Sequence, residues 1–227
     1  MSVFTIESAV IDSGLRTSDS GLFTPVPNYV KCYHEEERIT GIPKKLSYIT
    51  VEEYLDGERG AAVKHEYVDG EIYAIAGESR RHNRIVSNFV LAFRDGLTET
   101  GCETYFEGVK VQANRSTFYY PDVLVTCEIE GEDDDYVIKF PCLIVEVLSP
   151  STAATDKREK LIAYKLIDSL QEYAIVWQDE LRVELHRRHR DGWLTFFHTQ
   201  PEDAVLFTSI GLQTTVAGIY RGIPFEQ

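Results

Sequence analysis

No stretch of this 227-residue chain approaches the roughly 18 uninterrupted apolar residues of a membrane-spanning helix, so no membrane span is expected. The opening Met1-Ser-Val-Phe-Thr-Ile-Glu lacks the basic start and apolar run of a secretory signal, and the expected address is the cytoplasm. Cys32, Cys102, Cys127 and Cys142 include no Cys-x-x-Cys pair and no zinc-ligand spacing with histidine, which leaves them as reduced thiols. Cys127 and Cys142 fall in or beside strand-like segments, where cysteine packs as a small apolar side chain. Positive charge is scarce as well. Lys and Arg number 23 against 37 Asp and Glu, a net charge of −14, which argues against a protein that coats nucleic acid by counterion release. Internal repeats and low-complexity tracts are absent.

What the chain does have is the apolar content of a globular domain, 43% hydrophobic against 26% charged residues. Residues 1–43 carry weak periodicity and several Ser, Thr, Gly and Pro, and read as a loosely packed arm; residues 44–227 read as a single domain. Charge is unevenly spread along it. Residues 128–135 (Glu-Ile-Glu-Gly-Glu-Asp-Asp-Asp) are intensely acidic, while Arg80, Arg81, His82 and Arg84 form one basic cluster and residues 186–190 (His-Arg-Arg-His-Arg) another. Such runs are most simply solvated faces, although a local basic rim around a site is compatible with them.

Thr50 with Glu53 three residues on is a capping box opening a short helix. Asp69-Gly70 between alternating runs is a hairpin turn. Ser79 then starts a helix on which Ile85, Val86, Phe89, Val90, Phe93 and Leu97 recur at helical spacing, with Gly101 just past its end. Strand-like segments follow over 103–113, 117–127 and 140–148, the last almost continuously apolar, as a strand buried on both faces would be. A helix capped at Thr155-Asp156 runs to about residue 168 and turns Leu161, Tyr164 and Ile167 or Leu170 inward. Then come a buried-type strand, 172–177, and a hairpin of 181–186 with 193–198 through Asp191-Gly192. This order implies an α/β or α+β fold, a mixed sheet flanked by helices with added hairpins.

Two carboxylates stand where apolar strand leaves little reason for them: Asp122 in Tyr-Tyr-Pro-Asp-Val-Leu-Val and Glu146 in Cys-Leu-Ile-Val-Glu-Val-Leu. An ionised carboxylate in such a place is costly unless paired, protonated or bound to a metal. If the two strands pair, the acids become cross-strand or diagonal neighbours about 5–8 Å apart. Carboxylate oxygens completed by water suit Mg²⁺ or Mn²⁺ rather than zinc. Pro121 removes a ladder donor and favours an edge or an irregular strand end at this point. Asp156, Lys160 and Tyr164 share a stripe on the next helix, so Lys160 can reach a metal-bound water or a phosphoryl group. The simpler reading of Lys160 is a surface pair with Asp156 worth a few tenths of a kcal/mol.

The combination of Tyr-Pro-Asp-Val (120–123), Pro-x-Leu-Ile-Val-Glu-Val-Leu-Ser-Pro-Ser-Thr (141–152), Asp156, Lys160, Tyr164 and Glu-Tyr-Ala-Ile-Val (172–176) resembles the bacterial family of putative restriction endonucleases, in the restriction-endonuclease-like superfamily with the PD-(D/E)XK motif. Glu66-Tyr-Val-Asp-Gly-Glu followed by His82 fits the same pattern, and the resemblance covers residues 46–200. It implies a metal-dependent endonuclease that hydrolyses DNA, with Asp122 and Glu146 holding Mg²⁺ (or Mn²⁺), Lys160 assisting, and a homodimer that cuts both strands of a duplex. The general motif has a lysine two positions after its second acid, where this chain has Leu148; Lys160 on the following helix is then the candidate, with Lys110 and Lys157 as alternatives. Glu66, with Glu71 as its alternative, His82 and Tyr164 are possible additional site residues. A nuclease fold can also persist as an inactive module for DNA association or protein interaction, which is the alternative function.

Overall fold

The computed structural model describes residues 48–128, 134–148 and 156–225, with 156–158 described through their backbone alone. The expected arm over 1–43, the middle of the acidic run, the Thr155 cap and the side chain of Lys157 lie outside the described residues.

Thr50 caps α1 (Val51–Glu58) with the expected reciprocal box: its Oγ1 accepts the Glu53 N–H at 3.2 Å, and the Glu53 carboxylate accepts the Thr50 N–H at 2.8 Å. β1 (His65–Val68) and β2 (Glu71–Ala74) pair across Asp69-Gly70, whose φ angles of 48° and 96° are those of a turn that matches the twist of its strands. Ser79 caps α2 (Arg80–Gly96), which buries Ile85, Val86, Phe89, Val90 and Phe93. The helix stops at Leu97, ahead of Gly101.

Two segments that alternate like single strands are each broken in two. The first becomes β3 (Glu103–Phe106) and β4 (Lys110–Asn114), the second β5 (Thr117–Tyr119) and β6 (Val123–Thr126). Glu107 and Gly108 at φ 38° and 107° end the first strand. Pro121, with no N–H for a ladder, separates the halves of the second. In both cases the halves enter different sheets, so the breaks are crossings between layers.

The remaining elements are β7 (Val137–Ile138), β8 (Pro141–Leu148), α3 (Asp156–Lys165), β9 (Glu172–Trp177), β10 (Val183–His189), β11 (Gly192–His198), β12 (Ala204–Phe207), β13 (Leu212–Thr215) and α4 (Val216–Ile219). The main sheet runs β11-β10-β9-β8-β6-β3; β8 and β9 are parallel and joined through α3, and its other pairs are antiparallel. A second sheet runs β2-β1-β5-β4-β7, and β12 pairs with β13. Alternation along the main sheet divides the core. Val123, Val125, Leu143, Val145 and Val147 pack on the α2 side with Phe89, Phe93 and Phe207. Leu124, Ile144, Leu148, Tyr173 and Ile175 pack on the other side with Tyr164, Val111 and Tyr119. The sheet is thus a mixed one covered on both faces, as the fold class required.

The cysteines correct an expectation. Cys102 and Cys127 form a disulfide, and Cys142 is the free thiol among the described residues. Glu103 pairs with Thr126, so the ladder brings the two next residues face to face with Cα atoms 4.0 Å apart. A separation of 25 residues hid that adjacency from any spacing rule. No helix among the described residues is long and apolar enough to cross a membrane.

Candidate active site

The register Val123↔Val145 between β6 and β8 carries Asp122 to the edge of Glu146. Asp122 is not in a strand, however; it sits in the bend after Pro121, immediately before β6. That bend frees its side chain from strand alternation. Its Oδ2 accepts the Val147 N–H at 2.6 Å, which ties it to the strand of Glu146, and meets His82 Nε2 at 3.1 Å, which ties it to α2. Glu146, in the interior of β8, is 7% exposed. Its Oε1 accepts the Tyr164 hydroxyl at 2.9 Å and lies 3.5 Å from Lys160 Nζ.

Lys160 is the junction of the cluster. Its ammonium is 2.7 Å from Glu66 Oε1 and 3.5 Å from Glu146, and it stands 5.4 Å from the centre of the Tyr119 ring. Lys160 thus has partners inside the cluster, while the side chain of Asp156, its partner in the surface-pair reading, lies outside the described residues. Glu66, on β1, also accepts the Tyr120 N–H at 3.2 Å and so fixes the backbone just ahead of Pro121-Asp122. All six residues singled out from the sequence, Glu66, His82, Asp122, Glu146, Lys160 and Tyr164, come together around one point, from β1, α2, the β5–β6 bend, β8 and α3.

A family model described as Uma2, putative restriction endonuclease, matches residues 51–217. The chain belongs to the Uma2 family. The Uma2 match spans every one of those six residues. Two proteins of Synechocystis sp., each described as uncharacterized, are similar to it. One is 37% identical over 178 residues, 78% of this chain and 94% of the relative; the other is 35% identical over 150 residues, 64% and 85%. The fold is that of a crystal structure described as a putative nuclease belonging to DUF820 from Anabaena variabilis, with a TM-score of 0.65 at 18% identity over 76% of this chain and 97% of that one.

The electrostatics of the Uma2 site set it apart from ordinary buried charge. Burial pushes the Glu146 carboxyl up to about 8; Lys160 pulls it down, while Asp122 and Glu66 push it further up. Burial works against the charge of Lys160, but Glu146 and Glu66 outweigh it and hold the amine protonated above its ordinary range. Lys160 is thus a charged hydrogen-bond donor in this arrangement. Burial likewise opposes charge on His82, and the hydrogen bond and charge of Asp122, with Glu78 at 3.7 Å, lift its pKa. Burial and the neighbouring Glu146 raise Tyr164 well above the usual phenol range, so it stays a hydrogen-bond donor.

Glu172 supplies the contrast. It is fully buried, yet it receives Arg187 Nε at 2.7 Å, the N–H and hydroxyl of Thr208, and the N–H and hydroxyl of Ser209. That is a carboxylate satisfied by its own protein. Among the described residues Glu146 has only Tyr164 and a long contact to Lys160, and both reach Oε1. Glu146 Oε2, Asp122 Oδ1 and Glu66 Oε2 make no hydrogen bond among the described residues. Among those residues no three His, Cys, Asp or Glu side chains form a ready-made metal cage. Open carboxylate oxygens around a site short of positive charge nevertheless match the needs of Mg²⁺, which keeps several waters and takes few protein ligands.

Other candidates are set aside by position. Glu71 is exposed on β2 and accepts the Tyr73 hydroxyl. Lys110 is buried against Tyr120, its Nζ 3.3 Å from that hydroxyl, and burial lowers its pKa. Two of the arginines in the first basic cluster are structural, Arg81 donating to the carbonyls of Gln178 and Pro224 and Arg84 to that of Gly222. In the second cluster Arg187 serves Glu172, and Arg188 donates to the carbonyls of Leu170 and Ile167. Glu78 also faces His82, and its place four residues earlier on the approach to α2 is a spacing visible in the sequence. A cleft of about 880 Å³ runs past Asp122, lined among others by Lys64, Gly77, Glu78, Arg80, Asn83 and Gly108.

One consequence is measurable without substrate. Folding raises the Glu146 pKa from about 4.5 to about 8, so the folded protein binds the proton more tightly than the unfolded chain. Its contribution is therefore fully present below about pH 4.5 and lost as pH rises through about 8. Urea denaturation of metal-free protein across this range should show stability falling by a few kcal/mol, and Glu146→Gln should flatten that slope. An unchanged slope in the variant would place the titration elsewhere.

Proposed function

We propose that this Uma2 protein is a Mg²⁺- or Mn²⁺-dependent endonuclease that hydrolyses phosphodiester bonds of DNA. The observation that carries the reading is Glu146, a buried carboxylate left under-satisfied beside Asp122 and Lys160 while Glu172, in the same sheet, is satisfied in full. Asp122 and Glu146 would hold the cation through their open oxygens. Bound there, the cation supplies a coordinated water of lowered pKa and neutralises charge developing on the phosphate.

The chain's own residues do the rest. Lys160, held protonated by Glu66 and Glu146, donates to the attacking water or to a phosphate oxygen and steadies negative charge. Tyr164 fixes the rotamer of Glu146, and His82 with the Val147 N–H fixes that of Asp122. Lys64 and Arg80, on the walls of the cleft that passes Asp122, take phosphates flanking the scissile one. The active form we propose is a homodimer, because two-fold symmetry suits cutting both strands of a duplex.

Incubation of supercoiled plasmid with the purified chain tests the reading. Nicked and linear DNA carrying 5′-phosphates should appear with Mg²⁺ or Mn²⁺ and disappear with a chelator. Absence of cleavage with either metal, together with no heat of metal binding in calorimetry, would overturn it.

A further inference from the structure

Three cysteines meet at the end of the main sheet away from the carboxylates. Cys102 and Cys127 are joined across the β3–β6 ladder. Cys142 lies on β8, and its Sγ is 3.5 Å from that of Cys127. The contact is built by a β-bulge. The β6–β8 register passes from Val125↔Leu143 to Thr126↔Pro141, so Cys142 is the extra residue, and a bulge turns such a side chain out of its regular alternation. The Cys142 thiol is held in place by the Val125 carbonyl, to which it donates at 3.3 Å. Cys127 is exposed, Cys142 and Cys102 half-buried, and Cys102 opens on a cleft of about 500 Å³ shared with Arg94 and Thr98.

We propose that Cys102, Cys127 and Cys142 form a thiol–disulfide exchange centre in which Cys127 is the shared sulfur and bonds alternately to Cys102 and Cys142. The step is an isomerisation. The Cys142 sulfur, once deprotonated, attacks Cys127 Sγ; the Cys127–Cys142 bond forms as the Cys102–Cys127 bond breaks. Cys102 leaves as thiolate and takes up the proton that Cys142 gave up, so neither oxidant nor reductant is consumed. Burial pushes the Cys142 thiol up to about 11, which keeps it protonated near neutral pH and makes its attack slow. The two pairings differ in what they tie together. One staples β6 to the edge strand β3; the other staples β6 to β8, the strand of Glu146. Exchange therefore moves a covalent tie onto the pair of strands that frames Asp122 and Glu146, though the sulfur chemistry stands whether or not the site cuts DNA.

The test is a disulfide map of the full chain after equilibration in a glutathione redox buffer, acid quench, alkylation and peptide mass spectrometry without reduction. The wild-type chain should yield both the Cys102–Cys127 and the Cys127–Cys142 peptide pairs, and Cys102→Ser should shift the crosslink wholly to Cys127–Cys142. Cys142→Ser should yield the Cys102–Cys127 pair alone. Wild-type protein in which Cys142 is always alkylated, or a Cys102→Ser chain with Cys127 and Cys142 both free or Cys127 joined to Cys32, would overturn the proposal.

Discussion

Asp122→Asn should lower plasmid nicking by roughly 10³-fold while leaving the fold intact. The amide keeps an oxygen for the Val147 N–H that Asp122 now accepts at 2.6 Å, so the local backbone has no reason to move. Stability should change by no more than about 1 kcal/mol, the ordinary worth of a hydrogen bond that is weakened rather than lost. What disappears is the negative charge, and with it one of the two carboxylates proposed to hold the cation. The loss expected is that of charge stabilisation worth about 4 kcal/mol in the transition state. Calorimetry in Mg²⁺ should show binding weakened in parallel. A variant that nicks at the wild-type rate would remove Asp122 from the chemistry and leave it as a brace between β8 and α2.

Lys160→Met should show two losses with different pH behaviour. Activity should fall by roughly 10²–10³-fold at every pH, as when one preorganised donor is removed from a developing charge. Stability should fall by about 3 kcal/mol above pH 8, because Glu146 and Glu66 lose the cation that sits 3.5 Å and 2.7 Å from them. Near pH 6 the stability loss should be smaller, since Glu146, with its pKa pushed up to about 8, takes a proton and no longer needs the partner. Denaturant titrations at the two pH values check this directly. A pH-independent loss of a few tenths of a kcal/mol would return Lys160 to the status of a surface residue.

The elements legible in the sequence are those whose stabilisation is local. The Thr50 capping box, the Asp69-Gly70 turn, the Ser79 cap and the apolar stripe of α2 each depend on groups within a few residues, and each is found as read. The two broken strands look continuous in the sequence because alternation continues across the breaks; only the membership of β3 and β6 in one sheet and of β4 and β5 in another shows that the chain changes layer there. The same crossing lifts Asp122 out of a strand and into a bend, where it can face both His82 and the backbone of β8.

By itself the sequence determined the two acids, because a carboxylate in an apolar run demands an explanation wherever the run folds. It also offered Lys160 as the candidate lysine, from its stripe with Asp156 and Tyr164 and from a resemblance whose motif has its lysine at the position of Leu148. Only the tertiary structure decided that Lys160 turns to Glu66 and Glu146, that Glu146 is short of donors where Glu172, also buried, is not, and that Cys102, Cys127 and Cys142 share one corner of the sheet. The physical reason is common to all three. Pairing, desolvation and sulfur contact are set by distances between residues far apart in the chain, and no local pattern encodes them.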